Sequence, residues 1–105
     1  MGDRVSISFK RGDSESIALF DHWGGIMLVE EARRYAFVLR AEVAGKQVNP
    51  LDRLEPGTVM VDFIRHLVRN DGPRLQRSLY VGKMSDPMWG DNSDNGHHII
   101  SLDSV

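Results

Sequence analysis

A histidine, a tryptophan and two glycines stand side by side at residues 22–25, where a strand pattern gives way to a helical one. A glycine pair at a helix N-terminus lets backbone N–H groups approach an anion, so the junction is a candidate ligand site. Acids at residues 30 and 31 would repel a phosphate, however. We therefore favour an architectural interpretation, in which Trp23 fills the end of the core and the glycines adopt positive φ. The candidate ligand-binding residues are Asp21, His22, Trp23, Gly24 and Gly25.

Histidines and aspartates at this junction and near the C-terminus have the side chains of a zinc, manganese or iron site. If each element reverses the direction of the one before it, His22 lies at the opposite end of the sheet from His97 and His98. One crossing in a long connector would instead bring them together. Adjacent strand residues point to opposite faces, so the two neighbouring histidines do not both ligate one ion. The candidate metal ligands are His22, His98 and Asp94, with His97, Asp21 and Asp91 as further members of the set.

Residues 91–96, Asp-Asn-Ser-Asp-Asn-Gly, have the spacing of the first half of a calcium-binding loop. The twelfth position would be Leu102 rather than a glutamate, and no pair of helices flanks the loop. We therefore interpret this segment as a solvated turn. Since a metal site normally needs three convergent ligands, we predict no resident cofactor.

A basic stretch runs from Arg65 to Lys83 and contains a single acid, Asp71. Arginines one helical turn apart could contact phosphates, and Tyr80 could stack on a base. The whole chain carries a formal charge of −2, from 13 basic and 15 acidic residues, which gives no global attraction for nucleic acid. Nucleic acid is therefore disfavoured as a partner. The candidate nucleic-acid contacts are Arg65, Arg69, Arg74 and Arg77.

The composition limits the class of protein. A chain of 105 residues favours one domain, residues 1–105. It has no cysteine, which removes disulfides, thiolate metal sites and cysteine nucleophiles. No apolar run is long enough to span a membrane, and the first residues lack the pattern of a signal peptide. We expect a soluble, cytoplasmic protein without a membrane partner, and the absence of an activated-nucleophile motif favours a non-enzymatic role.

Hydrophobic periodicity predicts the elements that position these residues. Period-two alternation predicts strands at residues 5–10, 16–22, 78–84 and 97–103, and helical spacing predicts helices at 26–43 and 58–69. The first strand has one apolar face, as at a sheet edge, whereas the second is apolar on both faces, as in a central strand. The order ββααββ predicts two hairpins in a two-layer α+β fold. Its sheet has four strands, antiparallel or mixed, with both helices on one face.

The first predicted helix has more apolar side chains than one sheet face can cover: Tyr35, Phe37, Val38 and Leu39. An exposed remainder would mark a surface for self-association or for another protein. Glu30 and Arg34 have the i,i+4 spacing of an intrahelical ion pair. We therefore expect a non-catalytic binding or self-assembly module that forms a homo-oligomer through this helix. The alternatives are a metal-dependent hydrolase or nuclease using His22 with His97 or His98, and a nucleic-acid-binding domain using residues 65–83.

Residues 18–25, Ala-Leu-Phe-Asp-His-Trp-Gly-Gly, resemble a group of small uncharacterised prokaryotic and phage proteins. In that group a strand ends in a Leu-Tyr-Ser-His-Trp-Gly-Gly type of sequence before a helix; here Phe20 replaces the tyrosine and Asp21 the serine. Residues 79–82, the histidine segment 98–100 and Asp103 resemble the group's closing hairpin. The resemblance implies a shared fold and a phage or mobile-element context, and it supplies no activity.

Overall fold

The computed structural model describes residues 2–44, 51–83 and 92–103. Its elements are β1 (Val5–Arg11), β2 (Ser14–Glu15), β3 (Ala18–Asp21), α1 (Gly25–Val43), α2 (Pro56–Leu67), β4 (Leu79–Gly82) and β5 (His97–Ser101), with a 3₁₀ turn at Leu51–Arg53. The α+β class is confirmed, but the order is βββααββ rather than ββααββ, and the sheet has five strands rather than four. Each helix begins and ends within two residues of its predicted bounds.

A β-bulge divides the predicted second strand into β2 and β3. Lys10 pairs with Glu15, whereas Ile7 pairs with Leu19, so the register shifts by one residue between the two ladders. At the shift, the Ser16 hydroxyl accepts a hydrogen bond from the Phe9 backbone N–H at 3.0 Å. An extra residue reverses the alternation of faces. That is why Ile17 is exposed while Leu19 is buried, although uninterrupted alternation along the predicted strand 16–22 would place both on one face.

The first strand is central, not an edge. β3 pairs with it antiparallel on one side, and β5 pairs with it in parallel on the other, from Ser6 opposite His97 to Lys10 opposite Ser101. β4 pairs antiparallel with β3. β4 and β5 therefore run in the same direction on opposite sides of the β1–β3 pair, and the predicted hairpin between them is wrong. Ser6 and Ser8 suggested a solvent-facing side of β1, but both are completely buried.

Alternate residues of β1 face the hydrophobic core, where both helices contribute. Val5, Ile7 and Phe9 are fully buried in one cluster with side chains of α1 and α2. Phe9 packs edge-on against Phe63 of α2, with ring centroids 5.4 Å apart. Tyr35 of α1 completes this aromatic group, with its ring centroid 5.1 Å from that of Phe63. In the part of the chain that the structure describes, neither helix is long and apolar enough to cross a membrane.

Candidate functional site

Asp21 is the buried centre of the strand-to-helix junction. Its carboxylate is 2% exposed and accepts three hydrogen bonds. One oxygen accepts the Trp23 backbone N–H at 3.1 Å and the Ser78 hydroxyl at 2.9 Å. The other accepts the guanidinium of Arg77 at 3.1 Å. Arg77 also lies 3.9 Å from the carboxylate of Glu31 on α1. The aspartate therefore ties the end of β3 to the segment that leads into β4.

The two glycines of the junction are required for different reasons. Gly25 has φ of 58°, so the predicted positive φ is confirmed there. Gly24 has φ of −71°, and the same prediction is wrong for it. A Cβ on Gly24 would lie 2.5 Å from a carboxylate oxygen of Asp21, so close approach is what excludes a side chain. The Gly25 N–H donates to the backbone carbonyl of Asp3 at 2.8 Å, and the Asp3 carboxylate packs against Gly25. One of the N–H groups that an anionic ligand would use is thus already occupied.

The architectural interpretation predicted that Trp23 fills the end of the core, and this prediction is wrong. Trp23 is 61% exposed and packs edge-on against the partly buried ring of His22, with centroids 4.8 Å apart. The indole is therefore not part of the hydrophobic core. Trp23 and His22 are the accessible part of the predicted ligand site.

The candidate metal ligands lie near one end of the sheet but do not converge. The Asp3 N–H donates to the carbonyl of His22, and the Asn95 N–H donates to that of Arg4, so β3 ends and β5 begins on either side of the start of β1. The prediction that His22 lies at the opposite end of the sheet from His97 and His98 is therefore wrong. Because β5 runs parallel to β1, it begins at the end of the sheet where the antiparallel β3 stops. Within residues 2–44, 51–83 and 92–103, no three His, Cys, Asp or Glu side chains could hold a metal ion.

Protein contacts occupy two of these ligands. His98 Nε2 lies 2.7 Å from the backbone carbonyl of Asn95. Asp94 accepts the Arg4 backbone N–H at 2.9 Å and lies 3.5 Å from its guanidinium. Asp91, and with it the start of the calcium-like hexapeptide, lies outside the described residues. The rest of the hexapeptide forms a turn, with the Gly96 N–H donating to the Asn92 carbonyl.

A polar network on the other face of the sheet was not predicted. The Ser6 hydroxyl lies 2.8 Å from His97 Nδ1, and the Ser8 hydroxyl lies 3.1 Å from His97 Nε2. Ser8 also donates to the carboxylate of Glu15 at 2.6 Å, and Asn92 donates to Ser6 at 3.0 Å. Sequence order hides this cluster, because about 90 residues separate the serines from the histidine. Only the parallel register of β1 with β5 brings them together.

Serine, histidine and glutamate within hydrogen-bond reach have the residue types of an activated nucleophile. Here both serine side chains are 0% exposed, so no substrate carbonyl reaches either hydroxyl. Burial lowers the pKa of His97, an effect that the nearby Glu15 carboxylate partly opposes. The neutral imidazole therefore satisfies two buried hydroxyls and cross-links β1 to β5.

The basic stretch divides into one structural arginine and several exposed ones. Arg77 is committed to Asp21, as described above. Arg65 lies 3.4 Å from the carboxylate of Asp62, and Arg69 donates to the carbonyl of His66 near the end of α2. Arg74 donates to the carbonyl next to it, in the loop that follows. Cations near a helix C-terminus stabilise the helix, so Arg65 and Arg69 have a local structural role.

A depression of about 460 Å³ lies between the β1–β2 hairpin and the start of α2. Arg11 and Arg53 line it, and Arg11 donates to the backbone carbonyl of Arg53. Arg53 in turn lies 3.9 Å from the carboxylate of Glu55. Leu54 and Pro56 form the apolar wall of the depression, and its other lining residues are polar or charged. The depression therefore lacks the mostly apolar lining of a small-molecule pocket.

The solvent-facing side of α1 carries four large apolar side chains. Their exposed fractions are 47% for Ile26, 61% for Met27, 67% for Phe37 and 47% for Val38. The prediction of surplus apolar residues at 35–39 is thus correct for two of them. Leu39 is buried, and the Tyr35 hydroxyl donates to Asp62 at 2.5 Å, so both belong to the interior side of the helix.

No protein-family model, curated protein or solved structure matches this chain. The resemblance of residues 18–25 to small prokaryotic and phage proteins therefore stays a prediction.

Proposed function

We propose that this protein is a non-catalytic self-assembly module that forms a homodimer through the solvent-facing side of α1. The observation that supports this most strongly is the exposure of Ile26, Met27, Phe37 and Val38 on that side. Scattered apolar residues on a surface need no explanation, but here two adjacent apolar pairs lie on one side of the same helix. In a two-fold dimer each pair is used twice, so a small patch supplies a large contact.

The expected strength follows from the exposed fractions. Fully burying such a side chain stabilises a complex by about 1.5–3 kcal/mol, and about half of the surface of each of the four side chains is still exposed. Eight side chains across the interface contribute about 10 kcal/mol, and we set the association cost at the lower end of its range, about 4 kcal/mol. The remainder corresponds to a dissociation constant of about 10–100 µM. The proposal therefore describes a moderate, concentration-dependent dimer.

The test is the mass in solution as a function of concentration. At about 500 µM, above the expected dissociation constant, light scattering should give a weight-average mass of about 1.7–1.9 times the chain mass of 11.9 kDa. Phe37→Glu should shift the protein to a monomer, because it places a charge in one of the two apolar pairs, and each pair is used at both ends of a two-fold contact.

Val61→Glu is the matched control. Val61 is 68% exposed on α2, almost the same as Phe37, but it lies outside the proposed surface. This variant should keep the wild-type mass. A wild-type chain that stays monomeric at the highest concentration, or a Val61→Glu chain that dissociates as Phe37→Glu does, would reject the proposal.

A further inference from the structure

Three charged residues separate the two apolar pairs on the outer side of α1. Glu30 lies after Ile26 and Met27, and Arg33 and Arg34 lie before the second pair. All three charged side chains are exposed. Among the described residues the structure records no ion pair for any of them, so the predicted i,i+4 pair between Glu30 and Arg34 does not form. The surface thus presents one unpaired acid on its N-terminal half and two unpaired bases on its C-terminal half.

The charges and apolar pairs along α1 are complementary to those of a second α1 that runs in the opposite direction. About residue 32, Glu30 and Arg34 are placed symmetrically with opposite charge, and the two apolar pairs are placed symmetrically as well. Glu30 lies two residues before that position and Arg34 lies two residues after it. The apolar pairs 26–27 and 37–38 lie five to six residues before and after it. With a rise of 1.5 Å per residue, these offsets are about 3 Å for the charges and about 8–9 Å for the apolar pairs.

We infer that two α1 helices pair antiparallel about a two-fold axis level with Ala32, so that Glu30 of each copy meets Arg34 of the other. This rests on the proposed dimer and specifies its geometry. The same axis sets residues 26–27 of one copy against residues 37–38 of the other at both ends of the contact. An isologous interface requires a patch that is complementary to itself, and this one is complementary in both charge and apolar surface.

Charge disfavours the parallel alternative. In a parallel pair about an axis along the helices, Glu30 would face Glu30 and Arg34 would face Arg34. Like charges placed opposite each other disfavour that arrangement, whereas the antiparallel one makes two attractive contacts per dimer. The ends of α1 do not select between the two arrangements, because the apolar pairs meet in both. Glu30 and Arg34 therefore determine the orientation.

Charge reversal tests the inference by sedimentation equilibrium. Glu30→Arg and Arg34→Glu should each weaken the homodimer by about 10- to 30-fold, since each converts two attractive surface contacts into two repulsive ones. An equimolar mixture of the two variants should form a heterodimer of close to wild-type strength. If the dimer is instead parallel, position 30 faces itself, and Glu30→Arg leaves the dissociation constant unchanged. An unchanged dissociation constant would overturn the inference.

Cysteine cross-linking tests the register directly, because the natural chain has no cysteine. In the antiparallel dimer, Met27 of one copy lies close to Val38 of the other. Met27→Cys combined with Val38→Cys should therefore give a covalent dimer with a short bis-maleimide. Within one helix these two positions are about 16 Å apart along the axis, beyond a short cross-linker. Each single variant should stay unlinked, because its two cysteines are about 15–18 Å apart across the axis.

The outcomes separate this inference from the proposed function. A dimer in which the single-cysteine variants cross-link, or in which the double variant does not, keeps the self-association and overturns the antiparallel register. A wild-type chain that is monomeric at all concentrations overturns both. All four substituted positions are solvent-exposed, so far-UV circular dichroism should show unchanged folding.

Discussion

Replacing Asp21 by asparagine removes the buried negative charge of the strand-to-helix junction while keeping the shape of the side chain. The asparagine carbonyl oxygen can still accept from the Ser78 hydroxyl and the Trp23 N–H, which share one carboxylate oxygen at 2.9 and 3.1 Å. In the wild type, the Arg77 guanidinium donates to the second carboxylate oxygen at 3.1 Å. In the variant, the amide NH₂ takes the place of that oxygen and faces the guanidinium. Asp21→Asn thus deletes one charge-assisted hydrogen bond and sets two donors against each other.

The structure limits the size of the effect. A hydrogen bond to a charged group contributes about 1.5–3 kcal/mol, and removing one partner of a buried ion pair costs about 3–5 kcal/mol. Arg77 is 28% exposed and lies 3.9 Å from Glu31, which compensates part of its charge. We therefore expect Asp21→Asn to lower the free energy of unfolding by about 2–3 kcal/mol. Arg77→Gln should cost a similar amount, and the double variant should cost about 2 kcal/mol less than the two singles together.

Urea unfolding followed by far-UV circular dichroism at pH 7 measures these differences. Arg65→Gln is the matched control, since its ion pair with Asp62 is between side chains that are 80% and 24% exposed. It should change the free energy of unfolding by less than about 0.5 kcal/mol. A loss below about 0.5 kcal/mol for Asp21→Asn, or no coupling with Arg77, would refute the structural role that we assign to this carboxylate.

Three further predictions concern other parts of the fold. Gly25→Ala forces a side chain into the left-handed region at φ of 58° against a neighbouring carboxylate, and should cost more than about 2 kcal/mol in urea unfolding; Gly12→Ala, at the same φ with nothing near its Cβ, should cost only about 1 kcal/mol. Tyr35→Phe removes the hydroxyl bond to Asp62 and should cost about 1–2 kcal/mol. Burial and the Asp62 carboxylate raise the pKa of Tyr35, so above about pH 10 the unfolded chain loses this proton while the folded chain keeps it. The free energy of unfolding of the wild type should therefore fall above about pH 10, and that of Tyr35→Phe should fall less. Burial lowers the pKa of His97, so the unfolded chain binds a proton first and the free energy of unfolding should fall as the pH drops below about 6.5; an acid dependence equally steep in His97→Gln would contradict this.

Much of the secondary structure was predictable because it depends on neighbours in sequence. Apolar spacing predicted both helices to within two residues, and the glycines predicted the turn at the start of α1. The bulge at Ser16 was harder to predict, because one extra residue leaves the composition of a strand unchanged. It moved Ile17 to the solvent and separated β2 from β3.

The junction is where local patterns gave the right location and the wrong arrangement. The run of special residues at 21–25 correctly marked a constrained corner. Its residue types did not indicate that Trp23 lies outside while Asp21 lies inside, since an indole is on average more buried than a carboxylate. The partner that reverses this expectation is Arg77, 56 residues away in sequence.

The sequence by itself determined the helices, the approximate positions of the strands and the surplus of apolar residues on α1, because each depends on side chains a few positions apart. Only the tertiary structure decided which strand is central. A parallel β5 beside β1 covers two serines that otherwise resemble a solvent face, and it gives them His97 as a partner. Tertiary packing likewise decided which side of α1 stays exposed, because the core takes Leu39 and leaves Phe37 in water. Strand pairing across about 90 residues has no local signal in the chain, since backbone hydrogen bonds are available to every residue type except proline.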